Sequence, residues 1–414
     1  MKKINFFTYD YPFEGNDNKF IEDELSMIST IFDKVNVIPI KKKKKIKKNF
    51  IKKDNIFYDF SLSENIFKYK NIINIFFSCI LCKYFWREIF NVSKKNIFLK
   101  LKMIISERIL AENTYNWIIK YKNLNLQNEI FYSYWSNFTL MSFYFLKKKN
   151  LINFCFARTL GSDLNGFIPN DDFIAFKKFK FKMLNFLIIL NEGQREKLKK
   201  EKLLNDEKIF KCYQGINLQI FEEKQKHDKK IHILSCGRLV HVKNTLQILN
   251  FIQKFSQSVQ DYEIIYTCIG TGPDLINVKK TADLKLKHVK FNLIENVPNL
   301  VEFIKKNKID FYINLSKSEG MSFAVMEAMS LGIPVICSDI PGNTEIINNK
   351  NGYVLKSSND LEMKKIIEEI KNDLENRTVY NKKIETINFV KNKLDRKIVL
   401  QQMKNLLKNN LFIN

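Results

Sequence analysis

The sequence predicts an α/β protein of two doubly wound, Rossmann-like domains. Three observations carry this. A strand–loop–helix–strand pattern opens the chain, and the same alternation restarts near residue 231. Between them, residues 222–230 are polar with no large apolar side chain, the mark of a linker. At 414 residues the chain also exceeds what one core usually holds.

The opening strand covers residues 4–9 and runs into a loop through Tyr11, Pro12, Phe13, Glu14 and Gly15. A helix follows with Ile21, Leu25, Ile28 and Phe32 on one face, and residues 35–40 form the next strand. Ligands of doubly wound sheets sit beyond the carboxyl ends of the strands, so the Gly15 loop faces the expected cleft. Further strands are expected at 130–133, 153–156, 186–190 and 209–213. In the second half they are expected at 231–237, 264–270, 289–291, 311–313 and from Pro334 onward. The last helix, 394–411, is amphipathic and rich in lysine. The domains are therefore placed at 1–222 and 223–414, facing each other across a cleft, with the final helix able to return to the first.

Hydrophobic residues at 45% and charged ones at 27% describe a folded globular protein. The seven cysteines are scattered, and the apolar start after Met1-Lys2-Lys3 is too short for a secretory signal, so a reducing cytoplasm is expected. Cys79 and Cys82 have redox or metal spacing, but they lie in an apolar run without a second pair and read as buried thiols. A formal charge of +25 would suit nucleic acid, anionic lipid or a nucleotide ligand. No recognisable nucleic-acid-binding module accompanies it, so nucleic acid is not an expected partner. The densest block is Lys41 to Lys45 with Lys47, Lys48, Lys52 and Lys53. Residues 72–90 are rich in Phe, Ile and Trp, yet Lys83 and Arg87 leave them short of the roughly 20 apolar residues of a spanning helix. Two readings stay open there: a core helix, or a dock on an anionic membrane face, peripheral to the inner side of the cell membrane.

The most specific stretch is Ser318-Glu319-Gly320-Met321-Ser322-Phe323-Ala324-Val325-Met326-Glu327-Ala328-Met329, then Gly332-Ile333-Pro334-Val335-Ile336. Gly320 permits a tight turn. Val325, Ala328 and Met329 recur at helical spacing, Gly332 ends the helix, and a short buried strand follows. Glu319 thus feeds a helix start and Glu327 lies about one and a half turns in. Free amides at a helix start attract anions such as phosphate, while flanking carboxylates suit the hydroxyls of a sugar and a ribose. Gly237-Arg238-Leu239 with Lys243 closes the first strand of the second half, where a planar guanidinium and a compact ammonium suit phosphate oxygens.

With these motifs the chain resembles the retaining glycosyltransferases of family 4, which have the GT-B fold, most specifically over 231–360. That family binds its donor through a Glu, seven residues and a second Glu, here Glu319 and Glu327. The resemblance implies catalytic roles for Glu319, Arg238 and Lys243. It implies donor binding by Glu327, Gly320, Met321, Ser322, Gly15, Gly237, Gly272 (in Gly270-Thr271-Gly272-Pro273) and Asn296. Asp339-Ile340-Pro341-Gly342-Asn343-Thr344-Glu345 resembles a further cleft segment. On the acceptor side it points to Arg158 and Asp163. The family histidine between them is replaced here by Leu160, and the four histidines of the chain all lie at 227 or beyond.

The activity so implied moves a hexosyl or N-acetylhexosaminyl group from a nucleotide sugar to a glycan or lipid-linked acceptor of surface polysaccharide, lipopolysaccharide or capsule. The alternative is a nucleotide-sugar-binding scaffold that does not turn over. No metal-ligand cluster is present in the sequence, and no metal or other cofactor is expected.

Overall fold

The computed structural model describes residues 2–14, 18–66, 83–90, 92–121, 126–166, 171–219 and 229–411. Two compact units comprise Met1–Cys212 with Leu400–Asn414, and Tyr213–Val399. This division differs from the expected 222/223 boundary at both ends. Residues from 213 onward are stitched into the second unit: Ile216 N–H donates to Leu394 O at 2.8 Å, and Arg396 N–H to Ile216 O at 2.9 Å. Tyr213 donates to Glu345 Oε1 at 2.7 Å. The last helix, Arg396–Leu411, begins in the second unit, but from Leu400 its residues group with the first.

The first unit holds a seven-stranded parallel sheet of order β3-β2-β1-β4-β5-β6-β7. Its strands are β1 Lys3–Thr8, β2 Lys34–Pro39, β3 Ile56–Tyr58, β4 Glu129–Ser133, β5 Phe154–Arg158, β6 Phe186–Ile189 and β7 Ile209–Lys211. Crossover helices cover parallel sheets on both faces, so their strands read as continuous apolar runs. Here Phe186, Leu187, Ile188 and Ile189 are all buried. The predicted stripe of Ile21, Leu25 and Ile28 is buried on the helix Asn18–Ile28, as is Phe32 just beyond it.

The stretch 41–125 holds β3 and the helices Ser61–Asn65, Lys83–Phe90 and Ile97–Tyr121; the apolar residues 67–82, with Cys79 and Cys82, lie outside the described residues. The long helix Ile97–Tyr121 escapes a periodicity reading because polar residues interrupt its inner face. Lys100 is buried against Asp171 Oδ2 at 2.5 Å and Ser93 Oγ at 2.6 Å, and buried Arg108 pairs with Glu112.

At the centre of this unit Arg158 is only 2% exposed. It pairs with Glu24 Oε2 at 3.2 Å and donates to Cys212 O at 3.2 Å; Glu24 also accepts from the Tyr132 hydroxyl. Burial pushes the Glu24 carboxyl above its ordinary range, against the pull of Arg158. Removing one partner leaves a buried charge uncompensated. Glu24→Ala should therefore destabilise the protein by about 3–5 kcal/mol. The measurement is urea unfolding, and the expected result is a lower midpoint at unchanged slope.

The second unit has a six-stranded sheet of order β10-β9-β8-β11-β12-β13. The strands are β8 Lys230–Cys236, β9 Glu263–Ile269, β10 Lys290–Ile294, β11 Phe311–Asn314, β12 Val335–Ser338 and β13 Gly352–Leu355. Their order reverses between β8 and β11, the position at which doubly wound sheets open a crevice. Buried His232 is structural: its ring nitrogens meet Asn307 O at 3.1 Å and Thr267 Oγ1 at 2.8 Å.

Candidate functional site

The site is built where β8 and β11 end. Their ladder register closes at Tyr312 opposite Leu234. Beyond it the buried Tyr312 hydroxyl bridges the strands, donating to Cys236 O at 2.9 Å and accepting from Cys236 N–H at 3.1 Å. A small cavity opens there, lined by Cys236, Gly237, Arg238, Lys243, Asn314 and Ser316 among others.

Two loops leave these strands and are laced together. Lys317 N–H donates to Val242 O at 2.8 Å, and Asn244 Nδ2 to Leu315 O at 3.2 Å. Lys243 pairs with Glu319, whose same Oε1 accepts from Ser316 Oγ at 2.8 Å. Asn244 makes the turn into the helix Thr245–Ser258 with a left-handed backbone, φ 54°. Arg238 is exposed and forms no ion pair among the described residues. A free guanidinium thus stands beside an ammonium–carboxylate pair at the switch of the sheet.

Glycines brace both loops from below. A Cβ on Gly270 would stand 1.9 Å from Gly237 O, and one on Gly272 2.3 Å from Leu239 O. Leu239 N–H donates to Thr271 O at 2.8 Å, so the Gly270–Gly272 turn presses directly on the Gly237–Leu239 backbone. Gly272 is thereby a support of the site. Gly342 does the same for the other loop, where a Cβ would lie 2.4 Å from Glu319 O. Gly237 differs: a Cβ there would meet only the Lys243 side chain, at 3.7 Å.

Glu327 is half-buried on the helix Phe323–Met329, whose Val325, Met326, Ala328 and Met329 face the core. Its field meets that of Glu319 at Tyr312. Burial holds the Tyr312 phenol well above its ordinary range, Cys236 adds to this, and both carboxylates raise it further. Burial, then Glu327, pushes the Cys236 thiol up to about 12, so it is a protonated thiol at neutral pH. Met321 is buried, and Ser322 precedes the helix in an extended conformation without capping it through its side chain. Gly320 lies in the turn between Glu319 and Met321.

The structure thus gathers Gly237, Arg238, Lys243, Glu319, Gly320 and Glu327 at one strand switch. Asn296 is exposed in the loop after edge strand β10, two strands from β8. Gly15 lies outside the described residues. Arg158 does not stand at a surface where an acceptor could meet it: it is buried and its guanidinium serves Glu24 and Cys212 O. Asp163 is buried too. Its Oδ1 accepts from Thr159 Oγ1 at 2.7 Å, Leu160 N–H at 2.9 Å and Gly161 N–H at 2.8 Å, and its Oδ2 from Ser136 N–H at 3.0 Å. Asp163 therefore shapes the loop after β5, and Leu160 stands half-buried on that loop. Tyr312, Asn314 and Ser316 carry no motif signal, because a tyrosine in a strand reads only as a β-former.

Residues 217–386 match the family model described as glycosyl transferases group 1. Over 332 residues, 78% of both chains, the protein is 23% identical to an uncharacterized glycosyltransferase of Methanocaldococcus jannaschii. It is 27% identical over 199 residues to the UDP-Gal:alpha-D-GlcNAc-diphosphoundecaprenol alpha-1,3-galactosyltransferase of Escherichia coli, covering 44% of this chain and 50% of that one. Among solved structures, apo WaaB, a lipopolysaccharide outer core galactosyltransferase, superposes with a TM-score of 0.68 at 15% identity, covering 98% of this chain and 99% of that one. The two Rossmann-like units make this a GT-B fold, as in this structural neighbour.

The hydroxyl bridge gives this part of the site its own test. Tyr312→Phe deletes one oxygen yet leaves buried polar atoms of Cys236 unsatisfied. It should cost about 1–3 kcal/mol. The loss will show as a lower melting temperature by calorimetry, and an unchanged one would remove Tyr312 from the frame of the site.

Proposed function

We propose that the protein transfers a sugar, with retention of anomeric configuration, from a nucleoside diphosphate donor to a glycan or lipid-linked acceptor in surface polysaccharide synthesis. The observation that carries this is Arg238, which has no ion pair among the described residues, beside the Lys243–Glu319 pair at the strand switch, within the segment that matches the group 1 glycosyltransferase model. The E. coli relative, named for a UDP-sugar donor and a diphosphoundecaprenol acceptor, supports uracil as the base and a lipid-linked acceptor.

In this reading Arg238 spreads its fork over the diphosphate and Lys243 adds a compact charge. Both stabilise negative charge as the sugar's C1–O bond to phosphate breaks. The acceptor oxygen forms the new bond to C1 from the leaving group's own face, and a departing phosphate oxygen takes its proton. Glu319 is committed to Lys243 and Ser316, which suits it to orient sugar hydroxyls. Glu327 binds the ribose. Gly237, where a Cβ would meet only the Lys243 side chain, leaves room for the diphosphate to approach the backbone. We infer that the transfer needs no metal or other cofactor, since two cations already compensate the leaving group.

A second reading, a scaffold that binds the nucleotide sugar without turnover, is favoured by one observation. Leu160 replaces the family histidine, and its neighbours Arg158 and Asp163 are both engaged internally. Sugar release from a UDP-sugar distinguishes the two: the enzyme releases it, the scaffold binds without release.

Glu319→Ala should lower kcat by about 10²–10³-fold in a folded protein. Wild-type turnover in that variant would falsify its role. Arg238→Ala should weaken UDP binding about 10–100-fold in calorimetry, the worth of a charged hydrogen-bonded contact. Activity should survive EDTA; loss restored by a divalent cation would show that Arg238 and Lys243 do not suffice.

A further inference from the structure

Two neighbouring helices of the first unit carry large apolar side chains outward. On Lys83–Phe90, Trp86 and Phe90 are exposed, Phe90 to 79%, with their rings 6.0 Å apart. On Ile97–Tyr121, Ile97, Phe98, Leu99 and Ile105 are exposed, Phe98 to 87%. Single exposed apolar residues need no explanation, but six of them on two helices in contact point to an interaction surface. The core does not lack for them, since Phe85 and Ile104 of the same helices are buried in it.

The charge around the cluster has one sign. Between residues 84 and 106 the exposed ionisable side chains are Arg87, Lys94, Lys95 and Lys102. The one acid of that stretch, Glu88, is half-buried and accepts from Phe176 N–H at 2.8 Å. Arg87 and Glu88 also line a groove of ≈ 990 Å³. Lys178, Lys182 and Lys202 line it too and have no ion pair among the described residues. The acids of its wall are engaged, Glu201 by Lys177 and Asp172 by Lys197. In the lysine-rich run at 41–53, by contrast, Lys42, Lys43 and Lys47 are paired to Glu64, Asp10 and Glu22.

We propose that this face of the first unit docks on an anionic lipid bilayer. Trp86, Phe90 and Phe98 enter the interfacial layer, while Lys94, Lys95, Lys102 and the groove lysines meet lipid phosphates. Aromatic side chains favour that layer, and basic ones gain from its negative potential. A second copy of this chain would set like charges against each other on the same face, which opposes self-association there. Among the described residues no helix is long and apolar enough to cross a membrane. The inference rests on the proposed function only for its setting, a lipid-linked acceptor.

The test is co-sedimentation of the full chain with vesicles of pure phosphatidylcholine or of equimolar phosphatidylcholine and phosphatidylglycerol. Binding should be at least ~10-fold tighter to the anionic vesicles and weaken as salt rises from ~0.1 to ~0.5 M. Phe90→Ser with Phe98→Ser, and separately Lys94→Glu with Lys95→Glu and Lys102→Glu, should each weaken it ~10-fold or more at unchanged melting temperature. Equal binding to both vesicles, binding to neither, or variants that bind like wild type would each overturn the proposal. So would dimerisation in solution that the phenylalanine variant abolishes, since the face would then belong to a second copy. UDP calorimetry on the same samples reads the donor site independently: lost UDP binding counts against the proposed function and leaves vesicle binding standing.

Discussion

The candidate site depends on a geometric constraint: two adjacent parallel strands that end their pairing before their carboxyl ends. With β8 continuing to β9 and β11 to β12, the two loops between them leave in opposite directions along the sheet, and backbone amides and carbonyls lose their ladder partners. Buried polar groups must then find other partners. Tyr312 supplies them for Cys236, and the Lys317–Val242 and Asn244–Leu315 bonds tie the loops. The polar architecture of the site is thus a consequence of closing a gap in a sheet.

That closure also sets the electrostatics. Lacing the loops brings Lys243 onto Glu319 and leaves Arg238 exposed at the rim. The bracing glycines keep this arrangement stiff, because backbone packs on backbone at Gly270, Gly272 and Gly342 with no side chain that could yield. The first unit solves its central packing differently, by enclosing a trio made of the Glu24–Arg158 ion pair and the Tyr132 hydroxyl. Such a trio favours one arrangement of the surrounding elements, since either charge alone would be costly to bury.

Legibility in the sequence followed the length scale of each interaction. The strands of both sheets were readable where apolar runs were long, within a residue or two at most ends. Edge strands β3, Ile56–Tyr58, and β13, Gly352–Leu355, were not read, and only the pairing of β13 with β12 shows that a Cβ on Gly352 would lie 2.5 Å from Val335 O. The helix Ile97–Tyr121 was hidden by buried Lys100 and Arg108; the Lys100 partner, Asp171, lies far along the chain, while Arg108 pairs with Glu112 one turn on. At the site, the Glu319–Glu327 spacing and the Gly-Arg-Leu…Lys arrangement were visible because each sits within one loop and its helix. Their meeting at Tyr312 was not.

The sequence alone determined the two-domain α/β plan and the identity of the charged residues at the second sheet's switch. Both follow from local periodicity and short motifs, which need no knowledge of distant residues. Tertiary structure alone decided which of those residues remain available. It buried Arg158 and Asp163 in internal hydrogen bonds, left Arg238 without an ion pair among the described residues, and turned Phe90 and Phe98 outward among lysines. Availability depends on which partner a folded chain brings within hydrogen-bond reach and which it leaves to solvent, and residues far apart in sequence settle that.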